Sequence, residues 1–137
     1  MKKYYFILGA LQSVIAIGAI PAGYRLLSDT SGAGLGMSTE MLANSPIDSF
    51  LLPGLFLLLI NGIANLAAAA LSFSRSRYAG YSGFLLGIAL TLWIIIQGWW
   101  ISLSSVLQPL FFVLGLVNTW LGWKIIRSVI IKNQVLP

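Results

Sequence analysis

Within the apolar stretches of this chain, nearly all the polar groups with reactive potential are carboxamides: Gln12, Asn61, Asn65, Gln97 and Asn118, with Thr91 and Gln108 beside them. A carboxamide donates and accepts hydrogen bonds but does not titrate near neutral pH. Such a set can orient a small molecule or a lipid headgroup in a cavity. It can also tie helices together, each tie contributing about 0.6 kcal/mol on average in a membrane and rarely near 2. It cannot run acid–base catalysis alone, because that requires a titratable group at the reacting proton. Asn61 and Asn65 stand one helical turn apart on the same face. Trp93 and Gln97 repeat that spacing, so Trp93, Gln97 and Asn61 form a candidate ligand wall of one aromatic and two polar groups.

The charged candidates lie elsewhere. Asp29, Glu40 and Asp48 are the only acids, and Arg25 is the one cation near them. Their spacings fit no compact calcium loop, and we read them as solvated or capping residues. Asp48 stands just before a long apolar run, where it can cap a helix or meet Arg25 across an outer mouth. An enzyme would need Asp48 or Glu40 to converge with Arg25 in one pocket. The sequence has no cysteine and no histidine, which removes thiol chemistry, thiolate metal sites and the commonest general base. No metal and no cofactor is expected.

Composition sets the environment of these groups. Of 137 residues, 58% are hydrophobic and 8% charged. Soluble domains carry roughly 25% charged residues, so lipid must be the solvent for most of this surface. Four runs are long enough to cross a bilayer, which takes about 20 apolar residues. The expected architecture is an all-α membrane protein, one domain of four transmembrane helices. They run from Tyr4 to Tyr24, Leu52 to Phe73, Tyr81 to Leu103 and Val106 to Ile126. The first run is longer than the apolar core of a signal peptide and reads as a retained helix.

The outer loop, Arg25 to Phe50, holds alternating glycines (Gly32, Gly34, Gly36) without the strand and helix that a dinucleotide-binding turn requires. Two short amphipathic surface helices are expected in it. One is capped by Ser38 and runs through Met41 and Leu42. The other opens at Ser45-Pro46-Ile47-Asp48. Met41, Leu42, Ile47 and Phe50 should face lipid or the bundle mouth. Small residues mark close packing: Gly9, Ser13 and Ala16 in the first helix, Gly83 and Gly87 in the third, Gly115 and Gly122 in the fourth. Trp99 and Trp100 suit the outer interface, and Trp120, Trp123, Lys124 and Arg127 the inner one.

Topology follows from charge. Lys2, Lys3, Arg75, Arg77, Lys124, Arg127 and Lys132 fall on one side of a four-helix path, and Arg25 alone falls on the other. The positive-inside rule puts both termini in the cytoplasm. The net charge of +5 therefore reports topology and some attraction to anionic lipid. A nucleic-acid partner is not expected.

The segments SPIDSFLLPGLFLLLINGIANLAAAALSFSRSRYAG, LTLWIIIQGWW and LQPLFFVLGL resemble a group of small bacterial four-helix membrane proteins of unknown function. That resemblance implies four helices and the bacterial inner membrane, and it carries no catalytic residue. Small multidrug exporters also have four helices but carry a glutamate in the first, which this chain lacks. The vitamin K epoxide reductases are excluded by the missing cysteines. No ionisable residue lies deep in any span, which opposes ion-coupled transport. The expected function is a non-enzymatic accessory, assembly or lipid-interacting factor. Its partners would be membrane lipids, further copies of itself or a larger membrane complex. The alternative is passive binding or carriage of a small apolar or amphipathic molecule.

Overall fold

A computed structural model describes residues 2–33, 39–43, 46–100 and 107–135. Every regular element among them is helical, and four helices are long and apolar enough to cross a membrane. They are α1 (Lys2–Ser28), α2 (Leu51–Phe73), α3 (Ala79–Trp100) and α4 (Leu107–Val135). The chain is a four-helix, multi-pass membrane protein. Its exterior is apolar, with Phe6 and Ile17 among the most exposed side chains.

Two antiparallel hairpins make the bundle. α1 packs along all of α2, and α3 pairs with α4 in a contact nearly as extensive. Along that second seam Gly80 lies opposite Ile126, Phe84 opposite Gly122, Gly87 opposite Thr119 and Thr91 opposite Gly115. Glycines alternate between the helices, so backbone meets backbone. The segments Gly87–Thr91 and Gly115–Thr119 interlock head to tail. Each threonine hydroxyl donates to the carbonyl one turn back on its own helix, at 2.8 Å in both cases, so neither hydroxyl is left unpaired at the seam.

α1 is the central helix. Leu8, Gln12, Ile15, Ala19, Gly23 and Leu26 recur every three or four residues and are all buried, as is Ala16 beside them. Leu8 packs with Leu121 and Ile125 of α4, Ile15 with Leu90 and Ile94 of α3, and Leu26 with Phe50 before α2. Its stripe therefore touches every other helix or its entry.

The middle of α2, Phe56–Ala64, is π-helical over nine residues, with ordinary α turns on either side. π turns usually occur as single bulges. Here the Asn65 Nδ2 donates to the Asn61 carbonyl at 3.1 Å, which places a side chain in competition with the backbone ladder at the end of the widened segment. Gly62 lies within it and lets α1 approach, since a Cβ there would meet Ile20 Cγ1 at 2.7 Å.

Several helix limits differ from the sequence expectation. α1 runs through Pro21 to Ser28 and includes Arg25; the proline removes one ladder bond, that to the Ile17 carbonyl, and the helix continues for about two turns beyond it. α4 continues to Val135, about two and a half turns past Ile126, where α3 begins. In the loop a 3₁₀ turn spans Thr39–Leu42, and residues 46–50 are bends that lead directly into α2. Of the two settings expected for Phe50, lipid or the bundle mouth, it does not take the first: it is buried at 1% exposure and packs with Leu26 at the end of α1. Its N–H donates to the Thr30 carbonyl at 2.8 Å, fastening the loop to the end of α1. The expected roles of Gly34, Gly36, Ser38, Ser45 and the 102–105 turn lie outside the described residues. So do the side chains of Met41, Leu42, Trp99, Trp100, Gln108 and Lys132.

The turn between α2 and α3 holds a strained residue. Arg75 has φ 55°, the left-handed conformation that normally calls for glycine. It closes α2: the Ser76 N–H reaches back to the Leu71 carbonyl at 2.9 Å. Arg75→Gly is expected to raise stability by up to about 1 kcal/mol, read from denaturation midpoints in micelles. A fall would show that the arginine side chain outweighs its own backbone strain.

Candidate functional site

The structure divides the candidate residues into three groups. The first is a polar node where all four helices meet. Gln12 of α1 is fully buried and accepts a hydrogen bond from Ser72 Oγ of α2 at 2.8 Å. Asn118 of α4, also fully buried, donates from Nδ2 to the Gly83 carbonyl of α3 at 3.2 Å. Gly83 is the meeting point. A Cβ there would meet Leu8 at 2.8 Å and Gln12 Nε2 at 3.5 Å, so only glycine lets α1 approach this closely. Gln12 Nε2 and Asn118 Oδ1 have no partner among the described residues. One is a donor and the other an acceptor, and both residues adjoin the same glycine.

Ser72 and Gly83 were missed as members of this node. The signal for Ser72 was present: it falls two turns beyond Asn65 on the same face of α2. Gly83 was legible as a packing residue but not as a hydrogen-bond acceptor, because its contribution is a main-chain carbonyl.

The second group is the pair on the π-helical turn. Asn61 and Asn65 are both fully buried. Asn65 is tied to the Asn61 main chain rather than to another helix. The Asn61 amide has no partner for either Nδ2 or Oδ1 among the described residues, and Asn65 Oδ1 has none. Each such atom costs on the order of 1–3 kcal/mol in a dry interior. Gln12 and Asn118 hydrogen-bond elsewhere and do not satisfy this pair.

The third group surrounds Trp93. Its ring stacks on Phe56 of α2, with centroids 4.7 Å apart and planes inclined by 26°. This pair closes one side of a crevice of about 410 Å³ between the acidic-end half of α2 and α3. Leu52, Leu55, Leu59 and Ile60 supply the α2 wall, and Ile47 lies at its mouth. The lining is almost wholly apolar. Leu52 and Leu59 are about half exposed, so the crevice opens sideways toward the lipid-facing surface. The expected wall of Trp93, Gln97 and Asn61 does not assemble there. Trp93 lines the crevice, half-buried Gln97 and buried Asn61 do not.

The crevice exists because the two hairpins contact unevenly. Among the described residues α2 meets α3 through its basic-end turns and the π segment, while its first turn, Leu51–Leu55, has no comparable contact with α3. The helices splay toward the acidic end, and aromatic stacking bridges the gap.

At that end Arg25 and Asp48 are both exposed, and among the described residues no ion pair joins them. Asp48 does not cap α2 either: Phe50 holds the cap position, and the Leu51 N–H turns to Ser49 Oγ at 3.4 Å. Asp29 folds back on Ser31, accepting from its hydroxyl at 2.6 Å and its N–H at 3.1 Å. Those bonds, the hydroxyl first, hold its carboxyl below the usual carboxylate range. Among the described residues no three acids converge as a metal site would require.

The arrangement combines a laterally open, apolar crevice with buried carboxamides, of which Gln12 and Asn118 join one helix to another. No protein-family model, no curated protein and no solved structure matches the chain.

Proposed function

We propose that this protein is a non-enzymatic accessory factor that works by interacting with membrane lipid. We place it in a bacterial inner membrane, with both termini in the cytoplasm on the charge rule and the membrane on the resemblance of its sequence. The observation that carries the lipid reading is the crevice between α2 and α3. Its volume of about 410 Å³ falls within the range of ligand pockets. Its walls are Leu, Ile, Phe and Trp, its opening faces the hydrocarbon, and it is built by uneven helix packing that a lipid-filled slot tolerates at no desolvation cost. An acyl chain fits this chemistry.

A phospholipid with a photoreactive acyl chain tests it in proteoliposomes. Adducts should concentrate on the Leu52–Ile60 segment and on Trp93, and Leu59→Trp, which fills the slot, should reduce them several-fold. Adducts spread evenly over the exposed faces of all four helices, unchanged by Leu59→Trp, would overturn the reading. The alternative, passive carriage of a small apolar or amphipathic molecule, calls for a polar, asparagine-lined passage. Asn61 and Asn65 are sealed inside the bundle and do not line the crevice, which favours the accessory reading.

A further inference from the structure

A second feature lies at the opposite, basic end, independent of the crevice. Lys3 Nζ stands 5.5 Å from the centroid of the Tyr4 ring. Tyr4 meets Trp120 of α4 edge to face, with centroids 6.4 Å apart and planes at 82°. Lys124 Nζ stands 5.4 Å from the Trp120 ring. The four side chains form a continuous run, Lys3–Tyr4–Trp120–Lys124, across the groove between α1 and α4. Lys3, Trp120 and Lys124 are exposed, and Tyr4 is half-buried. Arg127 follows on α4 and is exposed as well.

The positive-inside rule explains why cations collect at this end. It does not explain why two lysines from different helices are held on one aromatic pair. Ammonium groups are donor-only and so are matched by an acceptor-rich anion. Tyrosine and tryptophan add an O–H and an N–H at the depth where headgroups sit. All three acids of the chain, Asp29, Glu40 and Asp48, belong to the other end, so no carboxylate of this sequence competes for the lysines. Beneath the groove the buried cluster of Leu8, Leu121 and Ile125 holds α1 against α4, and Tyr4 packs on it, which fixes the aromatic pair in place.

We propose that this groove is a headgroup site for an anionic phospholipid, the phosphate lying between Lys3 and Lys124 with Tyr4 and Trp120 forming its floor. The site binds one lipid per chain and discriminates by charge, which separates it from the crevice, where only the acyl chain is read.

The test is native mass spectrometry of the full chain released from nanodiscs of mixed phosphatidylglycerol and phosphatidylcholine. Wild type should retain one phosphatidylglycerol in preference to phosphatidylcholine. The double variant K3Q/K124Q should lower that preference by roughly thirtyfold, since each surface cation near anionic lipid accounts for about a factor of five. The variant K2Q/R77Q removes equal charge at the same end but outside the groove. It should lower the preference by less than about threefold, because neither cation contacts the Tyr4 or Trp120 ring and an exposed charge off the site is weakened by water and salt. Helicity and unfolding midpoint, measured on both variants, exclude misfolding as the cause. Equal losses in the two variants would reduce the groove to diffuse attraction and overturn the proposal. Retention in K3Q/K124Q would overturn it too. Displacement of the lipid by inorganic phosphate alone would reassign the groove to a free anion and overturn the lipid assignment.

Discussion

Gly87→Leu is expected to cost about 3 kcal/mol of stability, at the top of the range for overpacking. A Cβ at Gly87 would come to 2.8 Å from Thr119 Cα and closer still to the Thr119 amide nitrogen. These are backbone atoms, and no rotamer change removes them. The only relief is separation of α3 from α4. That separation would also break the reciprocal contact one turn away, where a Cβ on Gly115 would stand 2.7 Å from Thr91 Oγ1. In a bilayer no hydrophobic effect draws the helices together, so loss of close contact removes most of what joins them. The gain in helix propensity on replacing glycine recovers roughly 1 kcal/mol at most. Reversible unfolding in mixed micelles gives the value. Leu85→Ala, on the lipid-facing side of the same helix, provides the comparison and should stay within about 0.5 kcal/mol. A Gly87→Leu chain as stable as wild type would mean that the two hairpin helices do not pack backbone to backbone.

Asn61→Leu is expected to act in the opposite direction, raising stability by about 1–3 kcal/mol. Asparagine and leucine are close in shape. The asparagine is fully buried, and neither end of its amide has a partner among the described residues. Leucine removes two unsatisfied atoms and breaks no side-chain bond, since Asn65 bonds to the Asn61 main chain, which the substitution keeps. Asn118→Leu supplies the contrast. It breaks the bond to Gly83 and should cost roughly 0.6–2 kcal/mol. Opposite signs for two fully buried asparagines would separate a structural amide from one kept against stability. A residue retained at such a cost, on a π-helical turn, is the kind that marks a working part of a protein. A loss of stability in Asn61→Leu would show instead that the amide is paired in the membrane.

The node around Gly83 gives the buried carboxamides a physical meaning that their spacing alone did not. Gln12 and Asn118 are far apart in sequence and belong to different hairpins. They are brought to one level because α1 is the central helix and because Gly83 lets two neighbours approach it at once. The stretch from Ser45 to Phe73 has the most distinctive pattern in the chain. Even so, α1, with a less varied composition, carries the buried stripe that touches all three other helices.

Some features of this protein are determined by its sequence alone. Hydrocarbon cannot satisfy backbone polar groups, so four long apolar runs become four helices. Small residues at helical spacing mark close seams, and the segregation of acids from bases gives each end of the bundle its charge. These are local properties, one helix or one loop at a time. The tertiary structure decided which polar groups meet. It directed Asn65 to its own helix, Gln12 to Ser72 and Asn118 to a main-chain carbonyl, and it left Arg25 and Asp48 apart. It widened α2 into a π turn and opened the crevice beside Trp93. Both depend on how far two hairpins splay, a relation between helices that no single stretch encodes. In a lipid-facing bundle nearly every side chain is apolar whichever way it points. Periodicity therefore shows that a helix crosses the membrane, but only weakly which face meets which neighbour.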